Sequence, residues 1–287
     1  MAYYIALPIL YLVSILPFWA LYLLSDGLYI IFYYLIGYRK KVVLQNLRNS
    51  FPEKNEKEIT VLSKKFYRYF CDLILESLKT LTVSREQVKK HVVFSPASVE
   101  IFRKYYETKQ SIVLVMGHMG NWELAGAGFS QLVTSPQLHI LYHPLTNKKF
   151  DKLVYHMRTR LGNKLYAMNE ALRGMLRDRD KITATAFIAD QTPSPEGAYW
   201  TTFLHQDTPV FKGTEKLATK LNYPVLYVSV YRPERGIYRI DLEVLTDNPK
   251  NCSENEISEK HTRRLEKDIR IQPEIWLWTH KRWKHKR

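Results

Sequence analysis

Two side chains that can do acid–base chemistry lie four residues apart in the segment Met116 to Glu123, which reads Met-Gly-His-Met-Gly-Asn-Trp-Glu. His118 can take up a proton near neutral pH, and a carboxylate bonded to one ring nitrogen would fix its tautomer and leave the other nitrogen free. Within one regular helix His118 and Glu123 would not share a face, but across a turn they can meet. The spacing therefore indicates a general base, His118, that is oriented by Glu123. The structural alternative is a helix cap beside an unrelated histidine.

The residues around this pair predict a strand, a turn and a helix. Ile112 to Val115 is a short apolar run typical of a buried strand. Asn121 is a favoured N-cap, so we expect a helix to begin near it. Main-chain N–H groups at Met119, Gly120 and the helix start could then stabilise a developing oxyanion. Gly120 and Asn121 are accordingly predicted to support an oxyanion or bind substrate.

A second candidate residue, Asp190, follows another apolar run, Ala184 to Ala189, as His118 follows the first. In a parallel sheet, active-site groups lie at the carboxyl ends of strands, so we expect His118 and Asp190 in one crevice. Asp190 would hold a basic side chain or a substrate hydroxyl, or it would merely cap the turn at Thr192. Further strand candidates alternate at first with helical stretches and end in a hairpin, which predicts an α/β fold with a mostly parallel sheet flanked by helices. These candidates are Leu138 to Tyr142, Ile182 to Ala189, Pro224 to Tyr231 and Tyr238 to Leu245.

The N-terminus is expected to be a membrane anchor. Ala2 to Ser25 carries no charge, and it is long enough to cross a hydrocarbon core of about 30 Å at ~1.5 Å per residue. The apolar run Gly27 to Tyr38 would lie at the interface or re-enter. Basic residues begin at Arg39 and none precedes the anchor, which places the rest of the chain in the cytoplasm. We therefore predict an anchor segment, residues 1–38, and a catalytic domain, residues 39–287.

The amino-acid composition limits the metals and macromolecules that the protein is expected to bind. With two cysteines no disulfide framework is expected, and the nine histidines show no Cys/His ligand pattern, so we predict no metal. The net charge of +15 favours acidic partners. Arg263 to Arg287 holds nine Lys/Arg against three Asp/Glu, with Trp276, Trp278 and Trp283 among them, which suits an anionic membrane surface. No nucleic-acid-binding motif is recognisable, and nucleic acid is not an expected partner.

Several segments, taken in order, resemble one family. His118-Met-Gly-Asn-Trp-Glu123 resembles the His-x4-acid motif of glycerolipid acyltransferases, in the form typical of lipid A biosynthesis (lauroyl/myristoyl) acyltransferases. Ala189-Asp190-Gln191 resembles the second signature of that family, and Pro273 to Arg282 the C-terminal one. Arg158 and Gly162 resemble its Arg-x3-Gly segment. The resemblance covers nearly the whole chain, although Phe203-Leu204-His205 stands where a Phe-Phe-Gly-like stretch is expected.

This resemblance implies a glycerolipid-acyltransferase-like fold and a membrane-bound O-acyltransferase. It would move an acyl chain from acyl carrier protein to a hydroxyl of a lipid A precursor, at the cytoplasmic side of a bacterial inner membrane and with no other cofactor. Arg158 and Gln191 would bind substrate or support the oxyanion, and basic surface residues would steer the acidic carrier protein. Two alternatives stay open: another lipid acceptor (lysophospholipid, aminolipid or glycolipid), or a catalytically silent lipid-binding scaffold. Acyl-chain length and oligomeric state are left open.

Overall fold

The computed structural model describes residues 2–129 and 132–287, and the strands in this part of the chain form a large sheet and a separate hairpin. The strands are β1 Val92–Phe94, β2 Ile112–Met116, β3 Gln137–Tyr142, β4 Lys164–Ala167, β5 Thr183–Ile188, β6 Tyr199–Phe203, β7 Gln206–Val210, β8 Val225–Glu234 and β9 Ile237–Thr246. The sheet has the order β1-β9-β8-β2-β5-β3-β4, and β6 pairs with β7.

Helices cover both faces of the sheet. They are α1 Ala2–Ile15, α2 Phe18–Ile30, α3 Lys40–Ser50, α4 Glu56–Lys79, α5 Arg85–His91, α6 Pro96–Glu107, α7 Trp122–Phe129, α8 Lys148–Thr159, α9 Ala171–Arg177, α10 Gly213–Leu221 and α11 Glu256–Ile271. A π-helical turn, Ile31–Ile36, continues α2, and short 3-10 turns lie at Met168–Glu170, Pro249–Asn251 and Pro273–Ile275.

The predicted α/β class is confirmed. β8, β2, β5, β3 and β4 are mutually parallel, and β9 is antiparallel to β8 across the expected hairpin. β2 is the central strand of the sheet, and each of its residues is buried. Val113 and Val115 face the core beneath α4 and α11, while Ile112, Leu114 and Met116 face the core beneath α6 and α7. The loop after β2 is therefore held by both layers.

The membrane segment differs from the predicted span. The helix predicted to cross from Ala2 to Ser25 is interrupted at Pro17, which has an extended backbone and begins α2. A proline disfavours the α conformation of the residue before it, so a break there is expected physically. In the part of the chain that the structure describes, the helix long and apolar enough to cross a membrane is instead Phe18–Ile36, formed by α2 and the π-helical turn. The apolar run from Gly27 onwards thus belongs to this helix.

α4 is a long helix of 24 residues, and its buried apolar residues recur at three- and four-residue spacing. Asn55 begins it with a capping box, accepting from the N–H of Glu58 while the Glu58 carboxylate accepts from the N–H of Asn55. Its buried face includes two carboxylates, Asp72 and Glu76, among apolar side chains. A buried acid needs partners from neighbouring elements, so α4 joins several parts of the fold.

A buried histidine in β3 makes a stability prediction. His139 is fully buried, and neither ring nitrogen has a hydrogen-bond partner among the described residues. Burial lowers its pKa from 6.5 to about 4. The unfolded chain therefore takes up this proton first as the pH falls, and folding stability is lost between pH 6.5 and about 4, by about 3 kcal/mol at ~1.4 kcal/mol per pH unit.

We expect His139→Leu to lose less stability than the wild type over this pH range in urea unfolding at pH 7, 5 and 4. His156→Leu, which changes an exposed histidine on α8, should keep the wild-type dependence. An identical slope in His139→Leu and the wild type would contradict the prediction.

Candidate active site

The loop between β2 and α7 carries His118 and is fixed through its main chain. Gly120 has a φ of +59°, and a side-chain carbon there would lie 2.5 Å from Cγ1 of Val230, so only glycine fits. The Gly120 N–H donates to the carbonyl of Ile275 at 2.9 Å. The Gly120 carbonyl accepts from the hydroxyl of Tyr69 on α4 at 2.6 Å. Both polar groups of this glycine thus hold the loop.

The chain after α11 returns to the same loop from the other side. Met119 and Trp276 form an antiparallel bridge, and the N–H of Leu277 donates to the carbonyl of His118 at 3.1 Å. The C-terminal segment, Pro273 to Arg282, therefore pairs with the loop in the way a strand would. This pairing fixes the direction in which the His118 side chain leaves the main chain.

The ring of His118 is oriented by Asp190, just beyond the end of β5. Nδ1 of His118 lies 2.5 Å from Oδ1 of Asp190, and the main-chain N–H of His118 donates to Oδ2 at 2.7 Å. An ionised carboxylate only accepts hydrogen bonds, so this contact places the ring proton on Nδ1 and leaves Nε2 free to accept one. The two residues expected in one crevice are found in direct contact.

A third donor reaches the same carboxylate. Nε1 of Trp276 lies 2.8 Å from Oδ2 of Asp190, whose side chain is 3% exposed. Burial on its own would raise the pKa of Asp190, but the charge of His118 and the hydrogen bonds from His118 and Trp276 outweigh it and lower the pKa to about 2. Asp190 is therefore an anion at neutral pH and can stabilise an imidazolium on His118.

Glu123 does not make the predicted contact with His118. Its carboxylate binds Arg158 of α8, with Nε 3.0 Å from Oε2 and Nη2 2.5 Å from Oε1. A largely buried guanidinium needs a counter-charge, and Glu123 in the first turn of α7 is the carboxylate that faces it. The prediction that Glu123 orients the histidine is therefore wrong. Any contribution of Glu123 to catalysis must come through Arg158.

The N–H of Gly120 and the side chain of Asn121, which were predicted to support an oxyanion or bind substrate, already have partners within the protein. The N–H groups of Met119 and Gly120 are already bonded to main-chain carbonyls. Asn121 is fully buried, its Oδ1 accepts from the N–H of Leu124 at 3.0 Å, and its Nδ2 donates to Glu76 at 2.9 Å. The predicted helix cap at Asn121 is thus confirmed, and these groups position the loop rather than a substrate.

Glu76 is a supporting residue that the sequence did not reveal. Besides Asn121, it accepts from Tyr238 at 2.5 Å and from Tyr22 at 3.0 Å. Burial raises the pKa of Glu76. Its position could have indicated its importance. Glu76 lies three residues after Leu73 in the apolar stripe of α4, where a carboxylate is unexpected.

His118, Arg158 and Gln191 line one cavity of about 290 Å³. Nε2 of His118, the nitrogen not bound to Asp190, lies 3.4 Å from the side-chain nitrogen of Gln191. The other walls are mostly apolar and include Trp122, Leu141, Met168, Phe187, Phe211 and Leu217. Among the described residues, no group of three or more His, Cys, Asp or Glu side chains is placed to hold a metal ion. The cavity thus combines Nε2 of His118 and the donors of Arg158 and Gln191 with a mostly apolar lining, in which Tyr142, His143 and Thr214 are the other polar side chains.

The C-terminal tryptophans are not on the surface. Trp276 and Trp278 are 3% and 0% exposed, and Trp283 is partly buried against them. The prediction that these indoles contact a membrane is therefore wrong for Trp276 and Trp278, which pack edge-on at 4.6 Å in the core. Trp276 is instead a site residue. The C-terminal motif was visible in the sequence, but no spacing showed that its indole reaches Asp190.

Comparison with known protein families gives one match to this chain. The family model described as bacterial lipid A biosynthesis acyltransferase matches residues 1–285. The match includes the His118 loop, Asp190 and the C-terminal segment. No curated protein matches the chain.

The bond from Trp276 to Asp190 can be tested with a matched pair of substitutions. Trp276→Phe removes the N–H donor but keeps an aromatic ring, so we expect about a tenfold lower kcat from the loss of one hydrogen bond to a charged group. Trp278→Phe removes an indole that donates to Pro273 instead, and it should leave kcat nearly unchanged. Equal losses in the two variants would mean that only packing matters at Trp276.

Double-mutant kinetics distinguish the two carboxylates. Asp190→Asn and His118→Ala should each lower kcat by ~10²–10⁴-fold, and the double variant should be no slower than His118→Ala because Asp190 acts through the ring. Glu123→Gln acts through Arg158, so it should slow the His118→Ala variant further. The reverse pattern, with Glu123 rather than Asp190 coupled to His118, would show that the orientation seen in the structure is not the reactive one.

Proposed function

Because the chain belongs to the bacterial lipid A biosynthesis acyltransferase family, we propose that it transfers an acyl chain from acyl carrier protein to a hydroxyl of a lipid A precursor. One observation carries the mechanism. His118 is bound at Nδ1 by a buried carboxylate, and it lines an apolar cavity together with two hydrogen-bond donors. This arrangement supports a general base facing a lipid substrate.

In the proposed reaction, Nε2 of His118 removes the proton of the acceptor hydroxyl as its oxygen attacks the thioester carbonyl. Asp190 stabilises the resulting imidazolium without itself becoming protonated. The tetrahedral intermediate then expels the thiolate of the carrier, and the imidazolium returns the proton to that sulfur. The products are an ester and a free thiol, so neither an acyl-enzyme nor a cofactor is required.

Arg158 and Gln191 are the groups we assign to the negative charge. Both line the cavity, and Glu123 holds Arg158 through Nε and Nη2. Donors fixed before the reaction stabilise an oxyanion more effectively than mobile ones. Arg158 would meet the oxyanion or a phosphate of the acceptor, and Gln191 would leave Nε2 when the hydroxyl arrives.

The apolar walls of the cavity suit the acyl chain. A narrower recess of about 50 Å³ shares Trp122, Leu141 and Arg158 with the main cavity and continues between α7 and the sheet. Its lining is otherwise almost entirely apolar. An extended hydrocarbon chain that enters beside His118 would therefore find apolar contact on both sides.

The acyl carrier protein is acidic, and we propose that it docks on a basic groove between α3 and the C-terminal segment. Lys41, Lys281, Lys284 and Lys286 line this groove, and in the described part of the chain none has a carboxylate within 4.0 Å. Unpaired lysines attract an acidic partner and accelerate its association. Lys281 of the groove lies in the C-terminal segment, which also pairs with the His118 loop.

Charge reversal tests this docking surface. Lys281→Glu with Lys284→Glu should raise KM for the acyl carrier protein by about tenfold or more and leave kcat nearly unchanged. The effect should shrink as salt is added. The matched control is Lys220→Glu with Lys250→Glu, two exposed lysines outside the groove. Equal changes in both double variants would show that only net charge matters.

Mass spectrometry of lipid A and total lipids, from cells with and without the protein, tests the acceptor. We expect lipid A to lose one acyl chain without the protein, and His118→Ala not to restore it. Loss of a chain from another lipid class would contradict the proposed acceptor while keeping the chemistry. Restoration by His118→Ala would contradict the chemistry itself.

A further inference from the structure

The N-terminal helical segment, residues 2–36, has an apolar face that nothing in the described chain covers. Ile5, Ile9, Leu12, Leu23, Ile31 and Leu35 are each 39% to 74% exposed. The segment has one charged side chain, Asp26, which pairs with Arg235 at 2.8 Å. An apolar surface of this length would promote aggregation if it were exposed to water. It therefore indicates a contact with a membrane or with another molecule.

The opposite face of the segment is docked on α4 from Ser14 to Tyr33. Lys79 donates to the carbonyls of Ser14 and Leu16 at 2.8 and 2.7 Å. Further along, Ser25 donates to Asp72 at 2.6 Å, and the rings of Tyr33 and Tyr67 lie 5.3 Å apart. The helix that could span a membrane, Phe18–Ile36, therefore runs antiparallel to α4 over the part of α4 between Tyr67 and Lys79.

This docking brings charged side chains alongside the helix. The guanidinium of Arg68 lies 4.9 Å from the ring centre of Tyr29, and that of Arg235 lies 4.7 Å from the ring centre of Tyr22. If the docked helix crossed a bilayer, these arginines and the exposed Lys65 of α4 would enter the hydrocarbon core. Each charge there costs several kcal/mol, so the docked helix cannot be a span.

We propose that residues 2–36 bind one leaflet of a lipid bilayer from the side of the catalytic domain, with the apolar face immersed and neither helix crossing. Cations at the edge of the segment support an anionic lipid surface. Nζ of Lys149 lies 4.1 Å from the ring centre of the exposed Tyr4, and the guanidinium of Arg39 lies 5.9 Å from that of the exposed Tyr38. Aromatic rings beside basic groups are typical of the headgroup level.

A further contact links the N-terminal segment to a helix that lines the cavity. The ring of Tyr3 in α1 packs edge-on against Phe150 in α8 at 5.2 Å, and α8 also carries Arg158 of the cavity. Met168, which lines the cavity, is 51% exposed. α8 therefore joins the N-terminal segment to one wall of the cavity, which is open at Met168. The leaflet assignment itself does not depend on the proposed acyl transfer.

Cysteine labelling of the full chain in cell membranes tests the topology. Native Cys71 and Cys252 are replaced by Ala and Ser, and one new cysteine is placed in a short tag before Met1 or, separately, as Lys250→Cys in the catalytic domain. A membrane-impermeant maleimide is applied to right-side-out spheroplasts and to inside-out vesicles. Both cysteines should react in the same preparation. Reaction in opposite preparations would show a crossing helix and overturn the proposal.

Flotation with lipid vesicles tests whether the apolar face of residues 2–36 is the surface that binds lipid. Deletion of the segment would uncover Asp72 and Glu76 and endanger folding, so exposed positions are changed instead. Leu12→Gln, Leu23→Gln and Leu35→Gln together should weaken binding to phosphatidylethanolamine and phosphatidylglycerol vesicles by about tenfold per substitution. Val61→Gln, Val93→Gln and Val133→Gln, at exposed positions elsewhere, should not.

Two outcomes would overturn the proposal. Equal vesicle binding by the two triple variants would exclude this face as the lipid contact. A wild type that self-associates without lipid, and becomes monomeric in the Leu12, Leu23 and Leu35 triple variant with unchanged flotation, would make the face an interface between copies of the chain.

Discussion

The buried carboxylate of Asp190 is the interaction on which the catalytic side of the molecule depends. An ion at this depth costs several kcal/mol unless its lone pairs are satisfied. Its donors are the ring and main chain of His118 and the indole of Trp276, which are 72 and 86 residues away in sequence. The loop after β2, the end of β5 and the C-terminal segment must therefore converge. The contacts that fold these three segments together are therefore the same contacts that orient the ring of His118.

α4, on the other side of the loop, also carries two buried carboxylates, Asp72 and Glu76, whose oxygens need hydrogen-bond donors. Glu76 accepts from Tyr22, Tyr238 and Asn121, and Asp72 accepts from Ser25, Arg232 and Arg235. Each acid thus joins the N-terminal segment to the β8–β9 hairpin. Glu76 also reaches the cap of the site helix. Removing one donor would leave a buried acceptor unsatisfied, at about 1–3 kcal/mol, so these contacts hold the elements in register.

Local patterns in the sequence predicted most of the scaffold. The apolar runs predicted the central strands, and Asn121 predicted the start of the site helix. The position of His118 and Asp190 after two such runs predicted that they lie in one crevice. The sequence could not show which carboxylate meets the ring, because that depends on where α8 places Arg158 and thereby engages Glu123. An indole suits both a headgroup layer and a core, so composition misplaced Trp276. Pro8 and Pro17 both lie in the uncharged stretch and each predicts a kink, but the sequence does not show that Pro8 stays inside α1 while Pro17 separates two helices.

The N-terminal segment and the site are linked through Glu76, and this link bears on how the chain meets a membrane. For α2 to cross a bilayer it would have to leave α4, which would take Tyr22 from Glu76 and Ser25 from Asp72 and uncover Leu21, Tyr29 and Tyr33. The lost hydrogen bonds each cost about 1–3 kcal/mol, and the uncovered side chains add to that. Because Glu76 also holds Asn121, release would loosen the cap of α7 and with it the loop of His118. Docking on α4 therefore keeps the lipid-facing segment and the catalytic loop within one packed unit, so that a lipid bound at the apolar face meets a site that is already ordered.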